Sequence, residues 1–149
     1  MRRLALLLLA LTLAGCGGSS TSGQTLYAGG DWKVVLDGGK ATAFHQVAGT
    51  WKPDTTGAVK IKILGPDPGS TAAATPQVAA ELSATKPLIE SGMWVDGHEL
   101  TAKGGGLTPT KGTIYGAPDT PLTKGKHVAV AYARTAEHAT AVAWTFTVV

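Results

Sequence analysis

Cysteine, asparagine and arginine are scarce in this sequence, which has one cysteine, no asparagine and three arginines in 149 residues. The single cysteine, Cys16, excludes a disulfide within the chain, so packing alone must stabilise the fold. Removing Arg2 and Arg3 from the 13 basic residues leaves 11 against 10 acidic residues, a net charge of +1. The lysines are scattered along the sequence. We therefore expect no nucleic-acid partner.

Catalytic motifs are also absent. No Gly-x-Ser-x-Gly segment occurs, so a serine hydrolase of that type is excluded. His98-Glu99 lacks the second histidine of a zinc protease, because position 102 is alanine. The glycine run 104–106 precedes Lys111, but the Gly-Lys-Ser/Thr ending of a phosphate loop is missing. The sequence predicts no catalytic residues, no enzyme activity and no cofactor.

The first sixteen residues predict export. Arg2 and Arg3 precede an apolar run from Leu4 to Leu13, which is far shorter than the roughly 20 residues of a spanning helix. The run ends in Leu13-Ala14-Gly15-Cys16. This tetrapeptide resembles the lipobox of bacterial lipoproteins.

The resemblance implies that residues 1–15 are a lipoprotein signal peptide, cleaved between Gly15 and Cys16. It further implies a diacylglyceryl cysteine at Cys16 and an acylated, for example palmitoylated, new amino terminus. The protein is then held in the cell envelope by its lipid, facing the periplasm or the exterior. The alternative is an ordinary secretory signal with a chance cysteine, but an idle free thiol suits an exported protein poorly.

Two segments precede the main domain. Residues 16–24 are rich in glycine and serine, a composition that predicts a flexible tether. Residues 25–57 contain the alternating Trp32, Val34 and Leu36 followed by Asp37-Gly38-Gly39-Lys40, which predicts a hairpin turn. Because so short a segment cannot hold its own core, we expect it to add an N-terminal β-hairpin to the domain that follows.

Residues 58–149 have the period-two pattern of β-strands. Val59, Ile61 and Ile63 alternate with lysines. The alanine-rich residues 71–84 are interrupted by Pro76, which favours a loop and then a strand over a helix. About seven to nine short strands at this spacing predict an all-β fold, a β-sandwich.

Four segments of this region resemble bacterial immunoglobulin-like domains of secreted and envelope proteins. They are Val59–Ser70, Met93–Leu100 with its Val-Asp-Gly, Ile114–Val130, and the closing Trp144–Val148. The resemblance implies an immunoglobulin-like sandwich of about ninety residues. Residues 133–139 depart from the family, in which an aspartate and a Gly-Asn turn are common. A calcium or turn role cannot be transferred to that loop.

The titratable residues do not have the spacing of a metal site. The four histidines, which could in principle form a copper or zinc site, are His45, His98, His127 and His138. Because no ligand spacing supports such a site, we predict that no metal is bound. The aspartates mostly adjoin glycine or proline, which is typical of turns more than of calcium sites.

Two tryptophans have different expected environments. Trp144 shares one strand face with Val142, Phe146 and Val148 and is predicted to lie in the core. Trp94 is out of phase with its neighbours Met93 and Val95. It is therefore a candidate partner contact on an exposed sheet face, or else it is covered by residues 25–57.

The sequence favours an envelope-displayed lipoprotein that acts as a non-enzymatic binding, adhesion or scaffold module. Its partners are then the membrane, through Cys16, and an envelope protein or polysaccharide that the sequence does not identify. The alternative is a small-ligand-binding or metal-binding lipoprotein that serves a transporter or an enzyme. The two differ in surface shape, because a ligand binder needs a concave pocket and a scaffold needs a flat patch or an open edge strand.

Overall fold

The computed structural model describes residues 23–149, which form β-strands and connecting turns without a helix. The signal segment and Cys16 lie outside the described residues. The strands are β1 (Gln24–Gly29), β2 (Trp32–Asp37), β3 (Lys40–Val47), β4 (Thr50–Pro53), β5 (Val59–Gly65), β6 (Thr71–Ala72), β7 (Val78–Ala84), β8 (Glu90–Val95), β9 (His98–Glu99), β10 (Lys103–Thr108), β11 (Lys111–Gly116), β12 (Gly125–Arg134) and β13 (Ala139–Val148). Accordingly, residues 23–149 contain no apolar helix that could cross a membrane.

The strands form three sheets. The N-terminal sheet has the order β1-β2-β3-β4, the central sheet the order β6-β13-β12-β8-β9, and the outer sheet the order β10-β11-β7-β5. All pairings are antiparallel except that of β6 with β13. The prediction of an all-β sandwich is confirmed. Residues 71–84 contain no helix and form the two-residue strand β6, a loop and the strand β7, where a loop and one strand were predicted.

The central sheet is covered on both faces. Alternate residues of β12 and β13, including Ala131 and Trp144, pack against the outer sheet in a first core with Val78 and Leu82. The intervening residues, including Val130 and Tyr132, pack against the N-terminal sheet in a second core. The alanines of β12 and β13 leave room for close approach of the layers. A strand buried on both faces has no polar face, which explains the apolar sequence of β12.

Residues 25–57 form a larger unit than the predicted hairpin. With Gln24 they contribute a meander of four strands, because two further two-residue turns, at Gly30-Asp31 and Ala48-Gly49, reverse the chain. The turn at Gly38-Gly39 has φ of +56° and +81°, and the turn at Ala48-Gly49 has φ of +51° and +79°. These left-handed positions favour glycine and reverse the chain tightly. The N-terminal unit thus has four strands where a hairpin of two was predicted, and it packs on the sandwich through the second core.

Candidate functional site

The outer sheet turns a lysine-rich surface away from the core. Lys60 and Lys62 alternate with the inward-facing residues of β5, and both are exposed. Lys60 and Lys111 lie opposite Ser83, on its two sides, while Lys62 lies opposite Glu81. Three lysines from two separate strands therefore flank one strand of small and acidic residues.

Tyr115 and Lys103 extend this surface to the other edge of the sheet. Lys103 of β10 pairs with Tyr115 of β11, which in turn pairs with Ala79 of β7. We call the surface formed by Lys60, Lys62, Glu81, Lys103, Lys111 and Tyr115 the basic face. Its four lysines and one glutamate give a net charge of +3. Glu81 and Lys111 form a long ion pair, with Oε1 of Glu81 and Nζ of Lys111 3.6 Å apart.

A groove adjoins the basic face at its Tyr115 end. It has a volume of about 440 Å³ and is lined mainly by polar side chains, including Gln77, Thr101, Lys103, Tyr115 and Asp119. The loop around Pro118 and Asp119 separates it from a smaller pocket of about 180 Å³, which His98 and Glu99 also line. The basic face and the groove together combine hydrogen-bonding groups, one aromatic ring and positive charge.

The histidines lie apart in the fold. His98 is exposed, and the His45 ring stacks on Trp32 with centroids 3.9 Å apart. His138 contacts Asp54, with Nδ1 and Oδ2 3.2 Å apart. Within residues 23–149, no three histidine, aspartate or glutamate side chains converge closely enough to hold a metal ion.

His127 is the one histidine that is buried. Its Nδ1 lies 2.6 Å from Oδ2 of Asp96, and its Nε2 lies 2.7 Å from the carbonyl oxygen of Thr123. Both partners can only accept hydrogen bonds, so the protonated ring, with two donors, satisfies both. The other carboxylate oxygen of Asp96 accepts the backbone N–H of Val128 at 3.0 Å. The aspartate of the Val-Asp-Gly turn thus fixes β8 to β12.

The stability of the protein should depend on pH through this pair. The hydrogen bond to Asp96 raises the pKa of His127 despite burial of the ring, and the Thr123 carbonyl adds to the rise. A raised pKa in the folded state contributes stability that is complete below the unfolded value of about 6.5 and is lost as the pH rises through the folded value. Denaturant titrations between neutral and alkaline pH should therefore show a falling free energy of unfolding. His127→Gln should flatten this decline, whereas the exposed control His98→Gln should retain it. An unchanged profile in His127→Gln contradicts the assignment.

Asp54 ties the end of the N-terminal sheet to the turn between β12 and β13. Its Oδ2 accepts the N–H of Ala139 at 2.9 Å, and its Oδ1 accepts both the backbone N–H and the hydroxyl of Thr56, at 3.0 and 2.7 Å. Burial opposes ionisation, but these donors together with His138 outweigh it and lower the pKa of the Asp54 carboxyl. The arrangement holds layers together and brings no reactive group to the surface.

A polar cluster joins the N-terminal sheet to the central sheet. The carboxylate of Glu90 accepts hydrogen bonds from the Tyr27 hydroxyl and from Nε of Arg134. The Arg134 guanidinium also lies 5.4 Å from the centre of the Trp32 ring, within cation–π range. Burial and the Glu90 charge raise the pKa of the nearby Tyr132 hydroxyl. The ion pair is only 19–25% exposed, so it fixes the position of the first layer on the second.

The expectation of an exposed Trp94 is wrong. Trp94 does point away from Met93 and Val95, but its side chain lies in the second core and is 3% exposed. The N-terminal sheet covers it, which is the alternative that the sequence left open. The ring also packs over Gly92, where an added Cβ would lie 2.6 Å from Cη2 of Trp94. Trp94 is therefore a structural residue in this fold and offers no surface to a partner.

The sequence alone did not predict the basic face. The alternation of Lys60 and Lys62 was visible, but Lys103 and Lys111 reach the same face only through the pairing of β10, β11 and β7. No family model matches this sequence, and no curated protein matches it.

Proposed function

We propose that this protein is a non-enzymatic binding module of immunoglobulin-like type, held in the cell envelope by a lipid on Cys16. Its basic face binds an anionic polysaccharide of the envelope. The observation that carries the proposal is the gathering of Lys60, Lys62, Lys103 and Lys111 on one exposed sheet face with a single carboxylate. An adhesion or scaffold role follows from the same binding.

The shape of the basic face suits an extended polymer. Four strands spaced by about 4.8 Å make a surface about 14 Å across. The residues between the lysines are small, namely Ala79, Ser83, Gly105 and Thr113, so a chain can lie close to the backbone. Tyr115 offers a ring face to the apolar side of a sugar. The lysines, two on each side of β7, offer ammonium groups to carboxylates or phosphates on the polymer.

Removing the lysines should weaken the binding of a polysaccharide of uronic acids. In Lys60→Gln/Lys62→Gln/Lys111→Gln, three surface charge contacts of about 0.5 kcal/mol each are lost, which corresponds to about a tenfold higher Kd. The matched control is Lys86→Gln/Lys124→Gln/Lys126→Gln, which removes the same charge at exposed positions elsewhere. Isothermal titration calorimetry measures both. Equal weakening in the two variants, or no binding by the unmodified protein, contradicts the proposal.

The groove favours a second candidate function, the binding of a small polar ligand for a transporter or an enzyme. Its volume of about 440 Å³ falls in the range of ligand sites, and Gln77, Lys103, Tyr115 and Asp119 converge on it. The two functions differ in the length of the ligand. Saturation by a monosaccharide assigns the groove as the site, whereas affinity that rises with chain length assigns the basic face.

A further inference from the structure

The outer surface of the N-terminal sheet carries aromatic and apolar residues that no part of the described chain covers. Its inward residues, such as Trp32 and Val34, fill the second core, so their neighbours in the strands face the other way. Lys33 pairs with Phe44, and Phe44 pairs with Pro53 of β4. We call the surface formed by Lys33, Val35, Phe44, Trp51 and Pro53 the aromatic face; Thr42 and Gln46 of β3 lie on the same side of the sheet.

Lys33 lies over the rings at the centre of this surface. Its Nζ is 4.6 Å from the centre of the Trp51 ring and 5.2 Å from that of Phe44. The aliphatic part of the lysine thus extends the apolar area, while the ammonium group stays at the surface. Trp51 is the one tryptophan that is partly exposed, because Trp32, Trp94 and Trp144 are 3–5% exposed.

The described chain begins beside the aromatic face. At Gly23, the first described residue, an added Cβ would contact Val35 and Asp37, both on the outer side of the sheet. Six residues lie between Cys16 and Gly23, and the seven Cα–Cα steps that join them span only about 25 Å even in a fully extended chain. If Cys16 is lipidated, Gly23 and the edge of the aromatic face beside it lie within about 25 Å of the bilayer.

We infer that the aromatic face docks on the lipid bilayer that holds Cys16; this inference rests on the proposed function. Tryptophan is enriched where lipid headgroups meet acyl chains, since its ring is apolar and its N–H is polar. Lys33 is placed to bind the phosphate of an anionic headgroup while Trp51 and Phe44 lie at the edge of the acyl region. The basic face is on the opposite surface of the three layers, so docking turns it away from the membrane.

Fluorescence of Trp51 tests the inference in the full-length protein, purified from membranes and reconstituted into vesicles of phosphatidylcholine and phosphatidylglycerol. A Trp51→Phe variant gives the emission of the three buried tryptophans, which is subtracted. A spin-labelled lipid should quench most of the Trp51 emission, and iodide in the water should quench little of it. Lys33→Glu should restore iodide quenching, whereas Lys86→Glu in the loop after β7 should not.

Mass spectrometry of the same sample separates failure of this inference from failure of the proposed function. Acylated Cys16 with Trp51 open to iodide and unquenched by the lipid overturns the docking and leaves the anchor intact. Trp51 closed to both quenchers means that a second copy of the chain covers the face, since the vesicles contain no other macromolecule, and this result also overturns the docking. Unmodified Cys16 overturns both the docking and the lipid anchor of the proposed function.

Discussion

Trp144→Ala should lower the free energy of unfolding by about 3–5 kcal/mol, the usual cost of truncating a fully packed tryptophan. The side chain is 4% exposed and lies in the first core with Phe146 and Val148. Its Nε1 donates a hydrogen bond to the carbonyl oxygen of Pro66 at 2.9 Å. The substitution thus leaves a cavity and removes a donor from that carbonyl.

Urea denaturation of the full-length protein measures this loss, and Trp51→Ala is the matched control. Trp51 has the same side chain but is partly exposed on the aromatic face, so its truncation should cost less than about 1 kcal/mol. If Trp144→Ala were as stable as Trp51→Ala, the closing strand would not form the centre of the first core.

Trp94→Ala should be destabilising by a similar amount, about 3–5 kcal/mol, for a different reason. Trp94 belongs to the second core, with Trp32, Val130 and Tyr132, and so connects the N-terminal sheet to the central sheet. Its loss leaves Gly92 uncovered as well. The damage should appear first in residues 24–53, since these pack on Trp94 in the second core.

Hydrogen exchange followed by mass spectrometry distinguishes the two tryptophan variants. In Trp94→Ala, peptides from β1 to β4 should exchange faster than those from β5 and β7, whereas Trp144→Ala should loosen the outer and central sheets. A small stability loss in Trp94→Ala with unchanged exchange in β1 to β4 would mean that the N-terminal sheet does not pack on the ring.

The strands themselves were predictable because most of them have one buried face. The alternation of Val59, Ile61 and Ile63 with lysines marks β5, and Gly38-Gly39 marks the turn between β2 and β3. The prediction that Trp144 faces the core together with Phe146 and Val148 is also confirmed. In each case the pattern depends on residues close together in sequence, so local rules are sufficient.

The third layer was not predictable in the same way. The alternation around Trp94 gives the direction of its side chain, but whether that side faces water depends on where residues 24–53 pack. The basic face has the same origin, because Lys103 and Lys111 join Lys60 only through long-range strand pairing. The His127–Asp96 hydrogen bond likewise spans 31 residues. A single sequence contains the residues of these sites but not their pairing.

The most direct test of the proposed function is a comparison of two polymers that differ only in charge. Equilibrium binding of the detergent-solubilised, full-length protein is measured with a polysaccharide of uronic acids and with its carboxyl-reduced, neutral counterpart, over a series of ionic strengths. If the basic face is the binding surface, the protein binds the charged polymer, and its affinity falls as salt screens the lysines. Equal affinity for both polymers, or an affinity that salt leaves unchanged, would contradict the account.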